Sequence, residues 1–110
     1  MLREAVVLSV ALGSRYQTIE SLEAVADLAS RAGQPVAAAQ LIGAAEAERE
    51  RERARRKPDE APFYKATDHK LEQALGREGY ARERERGRGM TLDEAVAEAL
   101  ETTARAQLPG

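Results

Sequence analysis

Apolar positions recur along this chain at spacings of three and four, and on that period it divides into helical segments. Leu2 to Leu12 is apolar almost throughout, and Gly13-Ser14 ends it as a helix terminator would. It reads as the second helix of a hairpin whose first half is missing, which suggests a fragment of something longer. The next helix is expected from Thr18, as cap, to Ala32, burying Ile19, Leu22, Val25, Ala26 and Ala29. Gly33 follows where a left-handed residue costs least, and Pro35 then opens a third helix, where its missing amide hydrogen is not needed. So short a connection makes the two helices antiparallel neighbours, with Ala38, Leu41, Ile42 and Ala45 facing inward.

Beyond Ala45 the apolar face disappears and the third helix is expected to run on through Lys57 as a solvated protrusion closed by Pro58. Glu46/Arg49, Glu48/Arg51, Glu50/Arg53 and Glu52/Arg55 stand three apart with opposite charge, each pair worth roughly 0.2–0.5 kcal/mol in an isolated helix. Pro58 to Pro62 reads as a loop, and Phe63 to Leu75 as a helix burying Phe63, Ala66, Leu71, Ala74 and Leu75. Gly76 is expected to end it, with a short polar helix over Tyr80 to Arg86 and a turn at Gly87-Arg88-Gly89. Thr91-Leu92-Asp93-Glu94 is a capping box: the Thr oxygen receives the Glu94 amide and the Glu carboxylate reaches back to the Thr amide. Leu92, Val96, Ala99 and Leu100 form the stripe of the last helix, and Gln107 to Gly110 reads as a frayed tail. The expected fold is all-α, about five helices in antiparallel hairpins, one domain over 1–110 with a hairpin part (1–57) and C-terminal helices (58–110).

Within Leu22 to Ala45 the large, small and turn residues fall at the relative spacings of a tetratricopeptide repeat. Ala26 and Ala38 are small where the paired helices cross, Gly33 makes the turn, and Leu22 and Ile42 fill the volume between, with Ala45 at a further matching position. Further along come Gly33-Gln34-Pro35, Ala38 to Ala47, Leu71 to Gly76 and Gly87 to Leu100. In that order the segments resemble the C-terminal tetratricopeptide-like region of bacterial LuxR-type transcriptional regulators and related signal-transduction ATPases. The resemblance spans about Gly13 to Leu100 and implies a helical module that contacts protein surfaces, with a nucleotide-binding unit before it and, in many members, a DNA-binding helix-turn-helix after it. No Gly-x-x-x-x-Gly-Lys-Ser/Thr loop stands in this sequence, so the ATPase does not carry over. The Arg/Glu run after Ala47 is also more charged than in the family.

Composition narrows the chemistry. With Ala, Leu and Val dominating and one Phe and no Trp among 110 residues, the core must be built from small side chains that let helices approach closely. The absence of cysteine removes thiolate ligands, disulfides and a cysteine nucleophile. No apolar run approaches the ~20 residues a membrane span needs. Arg3 followed by Ala5 to Leu12 imitates a short signal peptide, but helical register continues beyond it, so a cytoplasmic protein is expected.

Three groups of polar residues invite a chemical role. His69 beside Asp68 lacks a second His and a ligand at i+4, and reads as an exposed helix histidine. Asp93, Glu94, Glu98 and Glu101 read as a cap and a solvated face. The arginines, Arg49, Arg53 and Arg56 foremost with Arg82 to Arg88 beside them, could contact phosphates. Interleaved glutamates would pair with them, and no aromatics stand between to stack bases. With a net charge of -2, nucleic acid is the lesser reading. The expectation is a protein-contact module with no catalytic residue, metal or cofactor. Val6, Val7 and Val10 are the expected self-association surface and a homodimer the expected state in isolation.

Overall fold

The computed structural model describes residues 15–53 and 65–106, and among these the regular structure is entirely helical. Four helices follow in order: α1 (Arg15–Arg31), α2 (Pro35–Arg53), α3 (Lys65–Arg88) and α4 (Leu92–Ala106). The segments expected as the Leu2 to Leu12 helix and the Pro58 to Pro62 loop lie outside the described residues, as do Phe63 and the tail.

The hairpin of α1 and α2 turns as its local chemistry requires. Gly33 takes φ +79°, the left-handed region open to glycine. The amide of Gln34 donates to Ala29 O at 2.8 Å and that of Gly33 to Ser30 O at 3.5 Å, a Schellman closure that satisfies carbonyls the helix end leaves free. Pro35 is then the first residue of α2. In these two helices Ile19, Leu22, Val25, Ala26, Ala29, Ala38, Leu41, Ile42 and Ala45 are all buried. Helix α1 begins at Arg15, three residues before the expected cap, so Thr18 lies inside its first turn and is buried.

Helix α3 lies across α2, and α4 packs against both α1 and α2. The polypeptide does break at Gly76, which has φ 80° and ψ 160°, yet helix resumes at once and runs to Arg88, longer than the expected Tyr80 to Arg86. Gly87 is therefore helical, and the turn falls on Gly89 and Met90, whose amides donate to Arg86 O at 3.2 Å and Gly87 O at 3.0 Å. Tyr80 is 3% exposed and belongs to the core, although it stands in a segment that reads as polar. In the first half of α3 Leu71 is buried and Leu75 partly so, while Ala74, expected inside, faces out. The capping box at α4 forms in both directions: Thr91 N donates to Glu94 Oε1 at 2.8 Å and Glu94 N to Thr91 Oγ1 at 3.1 Å. Ala95 and Ala99 of α4 are buried, with Leu92, Val96 and Leu100 packed partly against the same core.

Candidate functional site

The crossing of α2 and α3 concentrates the polar chemistry of the described residues, and it begins with two glycines. A Cβ on Gly43 would overlap the Arg84 carbonyl, lying 2.9 Å from its carbon and 3.1 Å from Arg88 N. One on Gly87 would run into the Gln40 backbone, 2.8 Å from its Cα. The helices thus meet backbone to backbone, a separation that any side chain at either position would prevent.

Around that contact the charged residues fasten one helix to another. Arg84 places a two-pronged fork on Glu46, with Nε 2.7 Å from Oε1, and its guanidinium carbon lies 5.5 Å from the centre of the Tyr80 ring. Arg88 reaches Glu50 at 2.6 Å and Glu46 at 3.7 Å. Gln40 Nε2 donates to Glu83 Oε1 at 2.9 Å, which orients the same carboxylate that Arg86 approaches at 3.4 Å. On the far side of α2, Arg49 forks onto Glu23 of α1 at 2.6 and 2.7 Å, and the Glu23 side chain is only 1% exposed. Paired forks of this kind combine charge with fixed geometry. The Glu46 hydrogen bond is the foremost cause holding Arg84 above its ordinary pKa, and Glu50 does the same for Arg88.

This arrangement corrects the expectation that α2 becomes a solvated protrusion after Ala45. Ala47 and Glu48 are buried, because α1 covers one side of this stretch and α3 crosses the other. The pair Glu48 and Arg51 forms within the helix as the three-residue spacing predicts. Glu46, Arg49 and Glu50 reach partners on other helices. Of the arginines expected to be open to phosphate, Arg49 is taken up by Glu23, while the Arg53 side chain and all of Arg56 lie outside the described residues, as do Val6, Val7 and Val10. Gly43, Gly87, Glu23 and Tyr80 are the positions that sequence reasoning missed. A glycine inside Leu41-Ile42-Gly43-Ala44 was the available signal, since mid-helix glycine costs stability unless a close approach requires it.

The other candidates behave as ordinary helix residues. His69 is exposed, and its neighbour Asp68 accepts a hydrogen bond from the Tyr80 hydroxyl. Glu98 and Glu101 face Arg105 at 3.9 and 2.8 Å, and Asp93 is exposed. Among the described residues no three His, Cys, Asp or Glu side chains gather as a metal site would need, and no helix is long and apolar enough to cross a membrane.

Burial, and after it the hydrogen bond to Asp68, pushes the Tyr80 hydroxyl well above its usual pKa of 10.0. The folded protein therefore keeps a proton that the unfolded chain releases near pH 10, so the stabilisation is whole below about pH 10 and falls above it. The loss is expected to be about 1.4 kcal/mol per pH unit for this one group. Denaturant titrations from about pH 9 to 12 should show stability level at first and then falling with a slope that approaches this value above about pH 11, and a correspondingly shallower fall in Tyr80→Phe. Equal slopes would remove Tyr80 as the cause.

Compared with family models, with curated proteins and with solved structures, the chain matches none.

Proposed function

We propose that this chain is a non-catalytic helical interaction module of tetratricopeptide-like build, part of or derived from a bacterial transcriptional regulator, and that in isolation it pairs with a second copy of itself. The observation that carries the reading is the use made of its charges. Arg49, Arg84 and Arg88 are each bonded to a carboxylate on another helix, so these three arginines of the charged stretches fasten helices together. The hairpin beneath them buries small residues, Ala26 and Ala38 among them, as helices that approach closely require.

The test is the mass in solution by light scattering. One chain is 12.0 kDa, and about twice that is expected, falling to the mass of one folded chain when Val6 and Val7 are both replaced by Glu. A natural protein of single-chain mass would reject self-association. Retention of the protein on duplex DNA, lost steeply as salt rises, would move the assignment to an auxiliary nucleic-acid-binding element.

A further inference from the structure

The two halves of α3 are held very differently. From Tyr80 onward the helix is fastened to α2 by the backbone contact at Gly43 and Gly87, the Arg84 fork on Glu46, the Arg88 pair with Glu50 and the Gln40 bond to Glu83. Before Gly76 the described side chains buried are those of Thr67 and Leu71, while His69, Lys70, Glu72, Gln73 and Ala74 face outward. Thr67 Oγ1 reaches Asp27 of α1 only at 3.3 Å. Between the halves stands Gly76, at φ 80° and ψ 160°, a backbone region that is essentially glycine's alone, and beyond its own stretch of backbone nothing lies within 4 Å of where a Cβ would be. The hydrogen bond from the Tyr80 hydroxyl to Asp68 bridges the break.

We propose that the first half of α3, from Lys65 to Leu75, is a hinged strap that opens as a unit about Gly76, with the bond between Asp68 and Tyr80 as its latch, while the second half stays seated on α2. Opening lifts Leu71 from the core and uncovers the apolar residues it covers, without disturbing the crossing at Gly43. A short lever with few buried contacts, joined to a firmly clamped one by an unencumbered glycine, is the composition expected of a low-stability cooperative unit. The inference stands on this asymmetry alone and is independent of whether the protein pairs with itself.

Native-state amide hydrogen exchange on the full chain, at low denaturant concentrations, tests it. Amides of residues 70–75 are expected to exchange faster than those of 84–88 and with a weaker denaturant dependence, because less surface is exposed when only the strap opens. Two variants separate the strap from the clamp. Asp68→Ala, which removes the latch on a half-exposed residue and leaves the Tyr80 ring in place, should speed exchange at 70–75 roughly fivefold. Glu46→Gln, which weakens the clamp, should speed exchange at 84–88 roughly tenfold and leave 70–75 unchanged, since the open strap keeps the clamp intact. One shared rate and denaturant slope across both stretches, or equal acceleration of both by Glu46→Gln, would overturn the proposal and make α3 a single unit. No change at 70–75 in Asp68→Ala would overturn the latch.

Discussion

Gly43→Ala is expected to destabilise the protein by about 3 kcal/mol or more, and Gly87→Ala by a similar amount. The sign is what makes the result informative. In a helix interior alanine is normally the better residue, by about 0.8–1.0 kcal/mol over glycine. Here the added methyl group would meet backbone atoms of the crossing helix, Arg84 in one case and Gln40 in the other, and a backbone in the middle of a helix cannot step aside as a side-chain tip can. The helices must separate, and with them go the fork between Arg84 and Glu46 and the packing that depends on their closeness. Gly79→Ala supplies the control. A methyl there would lie 3.4 Å from the Leu75 Cβ, an ordinary contact, so that variant should be unchanged or more stable by up to about 1 kcal/mol. Urea denaturation followed by helix content compares all three. If Gly43→Ala were as stable as Gly79→Ala, the backbone contact would not be a determinant of the fold.

Arg49→Met should lower stability by about 3 kcal/mol, whereas combining it with Glu23→Leu should recover most of the loss. Glu23 sits almost wholly out of water between α1 and α2, and both its oxygens accept from the Arg49 fork. Removing the arginine leaves a carboxylate that has lost its counter-charge and cannot be hydrated without opening the hairpin. Removing both groups replaces an ion pair, whose attraction is largely offset by the cost of drying it, with apolar contact. A double-mutant cycle measured by the same denaturation reads the coupling directly. Additive losses would mean that the pair acts as two independent surface charges, contrary to its burial.

These two expectations concern the same design problem. A core rich in alanine has little apolar area per residue, so each helix must come very close to its neighbour for burial to be worthwhile. The glycines at the crossing permit that closeness, and the charges around it hold the helices in one register by pairing specific partners. Tyr80 adds the only aromatic ring among the described buried residues, between the Arg84 guanidinium and the Asp68 carboxylate, which ties the crossing to the proposed strap.

Much of the architecture was legible before any coordinates, and the reason is range. The turn through Gly33 and Pro35, the capping box of Thr91 and Glu94, the break at Gly76 and the inward faces of α1 and α2 are decided by residues within a turn or two of one another. Backbone sterics and helical periodicity act over that distance. By itself, then, the sequence determined that the chain is helical, where its hairpin turns, and which residues of Leu22 to Ala45 face inward.

Only the tertiary structure decided how α3 meets the hairpin. Arg49 has several glutamates within helical reach, and the three-residue rule ranks Glu46 first, yet its fork lies on Glu23, 26 residues away. Glu46 in turn holds Arg84, 38 residues away. Local rules favour such pairs by only a few tenths of a kcal/mol, too little to outrank a partner that a crossing helix brings into a dry contact, where charge is stronger and desolvation must be offset. For the same reason Ala47 and Glu48 are covered where their neighbours suggested a solvated rod, and Tyr80 is buried in a segment that reads as polar. Whether a polar residue is wet depends on what is laid over it, and that depends on where the chain returns.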